Sequence, residues 1–470
     1  MEQIELSKKD KFFNKLLEWM LYLFVFLLPW QTRWIFKDSS IGGNIFEYGR
    51  MSLYGFDILL ILMFVLFLLA RSLKIKFTTG MSKAEAIGII IILLLIGVMA
   101  YSAHFWAYNQ EMAYYLLIRF ILAFILLSLV WKIKFSQIKL IVVLTTAACL
   151  QAVLGIWQVI THRVFESKWL GMALQKSTSL TGESVIEYGS ERLLRAYGSL
   201  PHPNILAGFL VVAFALLIYL VLKNDKTYQR WFLFSAFTLL TTGVFLTFSR
   251  SAWLVFVLAI CFLFFVFTSK STYETKRLSK ALGAWVLLLL IVLTAVFWQP
   301  VKTRVVGESR LEQVSNTERV SSLQNSYYMA RNSWPQGIGL GNYTHELRRL
   351  DRSKKLIYEY QPVHNVYMLI ATELGVFGAG AMLLLLMYFV ARLVASKEDQ
   401  FTGHPLPLLI MGSAMGCVYI LMLFDHYFFT SAFGIYLWFL VMGLFIKNIG
   451  IHKKEVLPQA PEKIEEKIQE

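Results

Sequence analysis

The sequence predicts an all-α, polytopic integral membrane protein, and three observations carry that reading. Hydrophobic residues fill 57% of the 470 positions and charged residues only 16%, with a mean hydropathy of +0.58, too apolar for a soluble chain of this length. Apolar runs of about 20 residues, the length that crosses a bilayer as a helix, recur about twelve times. Lys and Arg alternate between abundance and absence in the short connections, the signature of loops on opposite sides of a membrane.

In order, the expected spans centre near Leu23, Leu62, Leu93, Ala123, Leu150, Phe214, Leu239, Leu258, Leu290, Gly378, Met415 and Leu440. Lys8, Lys9, Lys11 and Lys15 precede the first. Basic clusters recur at Arg71, Lys74, Lys76 and Lys83, at Lys132, Lys134 and Lys139, at Lys223, Lys226 and Arg230, and at Lys270, Lys276, Arg277 and Lys280; residues 104–111 and 424–427 carry no Lys or Arg. Both termini are therefore expected in the cytoplasm. No small-residue cleavage site follows the first run, which reads as an uncleaved anchor. The expected organisation is one membrane domain over 1–450, two large extracytoplasmic loops at about 162–202 and 301–363, and a charged cytoplasmic tail at 451–470. No repeat of fixed period is found.

The net charge of +15 is mostly this topology signal. The loop from Val301 to Val363 resists that account. It carries ten Lys/Arg (Lys302, Arg304, Arg310, Arg319, Arg331, Arg348, Arg349, Arg352, Lys354, Lys355) against six acids (Glu308, Glu312, Glu318, Glu346, Asp351, Glu359), a net +4 on the side where topology asks for none. An anionic ligand would explain it. The first large loop ends in Pro201-His202-Pro203-Asn204, with Pro203 suited to the first turn of a helix. In the second, Ser315-Asn-Thr-Glu318 reads as a capping box, followed by Val320, Leu323, Tyr327 and Ala330 at helical spacing, which predicts an amphipathic helix against the membrane surface.

Other chemistries find no support. Cys149, Cys261 and Cys417 all fall in apolar spans, without the spacing of a disulfide framework or thiolate metal site. Neither His-Glu-x-x-His, a Walker loop nor metal-spaced acidic pairs occur, so no metal and no cofactor is expected. Gly337-x-Gly339-x-Gly341 follows Trp334-Pro335 with no strand before it and reads as a turn with positive φ.

Three residues invite a mechanism by their placement. Arg250 opens the eighth span, Arg319 is expected in the first turn of the loop helix, and His364 opens the tenth span after Pro362. A helix N-terminus favours an anion and disfavours a cation, so two arginines there imply a missing anion, for which phosphate or pyrophosphate suits the guanidinium fork. For either arginine taken alone, snorkelling or pairing with Glu318 and its neighbours is the favoured reading. A helix N-terminus also keeps an imidazole neutral, the form of a general base. Gly375, eleven residues on, falls about 20° from His364 on a helical wheel, leaving a bare face for a close helix or a lipid tail. Arg119 and Glu373, both inside spans, stand between a functional role and pairing within the bundle; Glu373 falls about 180° from His364.

Arg195…Gly198…Pro201-His202-Pro203-Asn204, Thr247-Phe248-Ser249-Arg250-Ser251, Asn316-Thr-Glu-Arg319, Pro335-Gln-Gly-Ile-Gly-Leu-Gly341, His364-Asn-x9-Gly-x2-Gly378 and Asp425-His426-Tyr427 occur in the order seen in bacterial O-antigen ligases and O-antigen polymerases. The chain resembles that family over about Arg195 to Gly443, most specifically in the His-Asn-x9-Gly-x2-Gly element. The resemblance implies a membrane glycosyltransferase that takes a glycan from an undecaprenyl-pyrophosphate carrier at the outer face of the cytoplasmic membrane and joins it to a hydroxyl of a glycan, lipid or protein acceptor, with no metal, nucleotide or nucleic acid. It implies His364 as catalytic base and Arg250 and Arg319 as pyrophosphate ligands. Arg195, His202, Asn365, Asp425 and His426 are further substrate-binding candidates, the last two on the acceptor side. Polymerisation of lipid-linked repeat units is the alternative within the family. A transporter or flippase of the lipid-linked glycan is the alternative outside it, and would place its polar residues near the midplane, whereas here they gather at helix ends.

Overall fold

Backbone polar groups in lipid must be satisfied within the segment, so apolar runs become helices, and each of the twelve expected span centres lies inside one. The computed structural model describes residues 8–41, 43–77, 80–179, 183–222, 227–270, 273–350, 360–398 and 406–454. The helices are α1 (Lys8–Leu27), α2 (Gly55–Ser72), α3 (Lys83–Phe105), α4 (Gln110–Lys132), α5 (Gln137–Thr161), α6 (Pro203–Leu222), α7 (Thr227–Leu246), α8 (Arg250–Lys270), α9 (Tyr273–Val296), α10 (Trp298–Val306), α11 (Arg310–Asn332), α12 (Tyr343–Leu350), α13 (Val366–Glu398), α14 (Leu406–Leu421), α15 (Tyr427–Thr430) and α16 (Ala432–Lys454). Among the described residues, eight are long and apolar enough to cross a membrane: α2, α3, α4, α5, α6, α9, α13 and α16. Helices α8 and α14 contribute shorter apolar stretches, Arg250–Phe262 and Pro407–Leu421. The protein is an all-α, multi-pass membrane protein. Of the expected tail, 455–470 lie outside the described residues, as do Lys223 and Lys226 and the loop charges Asp351, Arg352, Lys354, Lys355 and Glu359.

Helix α6 is apolar on every side and wholly buried, which makes it a central helix. Its neighbours are α5, α7, α8 and α14, while α16 packs on α4 and α14, and α13 on α3. Pro203 stands at its first position, where a missing N–H costs nothing. The N-terminus of α6 thus opens into the long connections, which gather at one end of the bundle: Ser199 Oγ donates to Pro29 O (2.8 Å), Ala196 N to Leu246 O (3.0 Å) and Val366 N to Met422 O (2.8 Å).

Several expectations change. The connection between α1 and α2 is itself structured, pairing Arg33–Lys37 with Met51–Tyr54 as antiparallel strands, so the large loops are more than the two expected. The connection from α5 to α6 carries a hairpin, Val185–Tyr188 with Glu191–Leu194. Helix α11 begins at Arg310, after the left-handed Gly307 ends α10, so Ser315 and Arg319 lie inside the helix and not at its start. The pattern Ser-x-x-Glu occurs twice, at Ser309–Glu312 and Ser315–Glu318, and the first is the true start. Ser309 makes no side-chain cap, and the Glu312 carboxylate turns to arginines. The Val320, Leu323 and Tyr327 stripe faces outward, and α11 rests on α13 through Ser326, whose hydroxyl meets Thr372 Oγ1 at 2.6 Å.

Helix α13 is broken at Gly375, with φ 63° and ψ −153°, so wheel arithmetic from His364 does not extend past it. The gap is filled by the glycine turn: Ile338 N donates to Thr372 O (3.0 Å), Gly339 N to Glu373 O (2.9 Å) and Val376 N to Pro335 O (2.9 Å). A Cβ on Gly375 would overlap the Pro335 carbonyl oxygen. The face expected to be bare therefore receives this turn, whose Gly337, Gly339 and Gly341 all have positive φ as the sequence predicts. Glu373 accepts from Gly341 N (2.8 Å) and Tyr343 N (3.1 Å), fixing the turn and capping α12. Arg119 pairs with Asp57 and Ser52 O under Tyr54 and Tyr115, and Tyr436 donates to Asp57 Oδ1 (2.7 Å). Both intramembrane charges are thus engaged within the bundle.

Candidate active site

Asn365, not His364, caps α13: its Oδ1 accepts from Met368 N (3.0 Å) and its Nδ2 donates to Leu423 O (3.1 Å). With the Val366–Met422 bond, this ties the start of α13 to the end of α14 and brings His364 beside Asp425, Nδ1 to Oδ1 at 3.7 Å. That is an ion-pair separation, longer than a hydrogen bond. Asn365, expected to bind substrate, has its amide engaged at both ends beside His364. Asp425 is buried, accepts from Asn204 Nδ2 (2.9 Å) on Oδ2 and from the His426 backbone N–H (2.8 Å) on Oδ1. Tyr427, next in sequence, fits where Gly208 of α6 leaves no side chain, locking the turn onto the central helix.

Behind Asn204 stands Arg195, buried, with Nη2 donating to Asn204 Oδ1 (2.7 Å) and Nε to Thr247 O (2.7 Å). His202 accepts from Asn204 N on Nδ1 (3.1 Å), so its Nε2 carries the proton and donates to Ser184 Oγ (3.0 Å). Both its nitrogens serve the fold at the start of α6. Burial, reinforced by Arg195, pushes His202 down to about 3, and burial pushes His426 down to about 4 against the pull of Asp425. Both are neutral near pH 7. Burial would raise Asp425, but the imidazoles around it, His364 first, hold its carboxyl well below the usual range.

Arginines form the other half of the site. Phe248 adopts φ 49° in the turn between α7 and α8, a strained conformation for a non-glycine residue. Its carbonyl accepts from Arg304 Nε (2.9 Å), as its neighbour Thr247 accepts from Arg195. Two cations therefore neutralise the carbonyl end of α7, where a helix favours positive charge. Arg304 also pairs with buried Glu312. Arg250, at the first position of α8, lies 3.4 Å from Glu312 Oε2 and donates to Asn316 Oδ1 (2.8 Å). Among the described residues the Arg319 guanidinium makes no hydrogen bond or ion pair, yet it lies within electrostatic reach of Asp425, Arg250 and Glu312. Burial pushes Arg195, Arg304 and Arg319 all below the ordinary arginine range, and mutual repulsion adds to it.

Four arginines thus face two carboxylates, Glu312 and Asp425, which leaves an excess of two positive charges for an anion to offset. Guanidinium forks grip phosphate oxygens bidentately, and a His–Asp pair beside them can accept and hold a proton. His364, Asp425 and His426 also offer one ligand atom each within 4.8 Å of one another, enough for a divalent ion in principle. The arginine excess opposes a dication there.

The structure brings His364, Arg250, Arg319, Arg195, His202, Asp425 and His426 together, as the sequence leads one to expect. It adds Arg304, Glu312 and Asn204. Sequence reasoning counted Arg304 and Glu312 only as loop charges, although the Ser309-x-x-Glu312 pattern was a signal for the helix that places them. Residues 234–385 match a protein-family model described as O-antigen ligase. No curated protein matches the chain. The matched segment contains Arg250, Arg304, Glu312, Arg319 and His364, whereas Arg195, His202 and the Asp425–Tyr427 turn lie outside it and reach the same site through tertiary contacts. Over residues 234–385, this multi-pass membrane protein is similar to O-antigen ligases.

Proposed function

We propose that the protein is a metal-independent glycosyltransferase that moves a glycan from undecaprenyl pyrophosphate to an acceptor hydroxyl, working at the outer face of the cytoplasmic membrane. The observation that carries this reading is the adjacency of an over-charged arginine cluster and the His364–Asp425 pair at the loop-bearing end of the bundle. His364 Nδ1 faces Asp425, so Nε2 is the nitrogen left to take the acceptor proton as its oxygen attacks the anomeric carbon. Asp425, held by Asn204 and the His426 N–H, orients the ring and stabilises the imidazolium that forms. Arg250, Arg319 and Arg304 offset the charge that develops on the departing pyrophosphate, each such donor contributing about 3 kcal/mol in a water-poor site. Arg195 acts one layer back, holding Asn204. Ligation is favoured over transport because Arg119 and Glu373, the polar groups inside spans, are engaged within the bundle.

The test is transfer by the purified chain from a labelled undecaprenyl-pyrophosphate oligosaccharide. His364→Ala should abolish transfer while donor binding persists, and Asp425→Asn should slow it by roughly 10²–10⁴-fold. Wild-type transfer rates in His364→Ala would show that the base lies elsewhere.

A further inference from the structure

The connection between α1 and α2 lies outside the matched segment, yet it enters the site. Tyr48 sits in the short turn Glu47–Gly49, between buried Phe46 and Arg50. The turn is braced: Arg33 and Arg50 pair with Glu47, Arg50 Nε also donates to Asp38 Oδ1 (2.6 Å), and the Phe46 and Tyr48 rings stand 6.1 Å apart. Its ring meets His426 edge-on at 5.8 Å, and His426 in turn lies 5.3 Å from His364. Three rings therefore run in a row from the α1–α2 connection to the residue placed as the base.

Polar atoms along that row are unsatisfied. Among the described residues the Tyr48 hydroxyl makes no hydrogen bond, and burial together with Asp425 and Glu47 keeps it protonated, hence a donor. Thr430 Oγ1 lies 2.8 Å from His426 Nδ1 and 3.3 Å from His426 O, which engages the Nδ1 side of the ring. Among the described residues His426 Nε2 makes no hydrogen bond.

We propose that Tyr48, with His426 and His364, forms a subsite for a pyranose of a carbohydrate acceptor. Sugar C–H faces pack on aromatic rings, and sugar hydroxyls, each both donor and acceptor, match a free O–H beside a free ring nitrogen. A peptide or lipid hydroxyl has the same donor and acceptor capacity but no pyranose C–H face to lay against the rings. The subsite rests on the transfer reaction proposed above and names the substrate that receives the glycan.

The test uses the full-length purified protein, a labelled undecaprenyl-pyrophosphate oligosaccharide, and two acceptor probes, a set of octyl pyranosides and a serine-containing peptide. Tyr48→Ala should raise the KM for the pyranoside about tenfold while kcat at saturating acceptor changes less than about threefold. Tyr48→Phe, which keeps the ring and the fold, should raise it about two- to fivefold through loss of the hydroxyl alone. Unchanged pyranoside KM values in both variants would overturn the subsite while leaving the transfer reaction standing, as would a rise confined to the peptide. Absence of transfer to every acceptor by the wild-type protein would instead remove the transfer reaction, and the subsite with it.

Discussion

Arg319 carries a half-buried charge on the third turn of α11 with no protein anion on its guanidinium among the described residues. Arg250 shares Glu312 with Arg304 across 3.4 Å. In both places the protein supplies less negative charge than positive, and the geometry of a guanidinium selects an anion with paired oxygens. Lysine retains the charge but not the fork. Arg250→Lys and Arg319→Lys should each weaken donor binding and turnover, by about 1–3 kcal/mol or roughly 5- to 150-fold in kcat/KM. Full activity in both variants, with normal folding, would remove the pyrophosphate clamp. Arg304 differs because its guanidinium also holds the Phe248 carbonyl, so its replacement should cost stability as well as activity.

Among the elements, the break in α13 decides how two sequence motifs come to serve one site. Gly375 takes a left-handed φ so that the Pro335–Gly341 turn can lie across the helix, with Glu373 holding two of its N–H groups. That contact fixes the position of α11, and so of Arg319, relative to the start of α13, where His364 sits. Gly375→Ala adds a Cβ into the Pro335 carbonyl on top of an unfavourable φ, and should cost more than about 1 kcal/mol. Its expected readout is a lower unfolding temperature in detergent with transfer lost in parallel. A variant as stable and active as wild type would mean that the turn and the helix can separate without consequence.

For the whole molecule, the alternation of basic and uncharged connections sets an orientation that the bundle geometry leaves open. The alternation predicts both termini in the cytoplasm, which would turn the end that gathers Pro29, Ser199, Leu246 and Met422 outward. On a background lacking Cys149, Cys261 and Cys417, a cysteine at exposed Gln336 should label with an impermeant maleimide in intact cells, and one at exposed Arg277 only after permeabilisation. The reverse pattern would put the candidate site on the cytoplasmic side and exclude the proposed donor geometry.

Sequence alone determined the class and the positions of the helices, because length, apolarity and charge alternation are local properties that a bilayer reads directly. It also named His364, Arg250, Arg319, Arg195, Asp425 and His426, through motifs in which unusual residues sit at helix ends. Tertiary structure decided which of them stand together and what each is bonded to. Asn365 and His202 have their polar atoms bonded within the fold, which sequence does not reveal because a cap and a ligand look alike in it. Arg304 and Glu312 joined the site because α11 starts six residues earlier than its second capping pattern suggests, and Ser-x-x-Glu cannot by itself say which copy is used. Asp425 became the partner of His364 only through the α13–α14 contact, and Tyr48 reached His426 from more than 370 residues away. Such pairings are set by helix packing and loop closure, which involve residues far apart in the chain and leave no periodic trace in it.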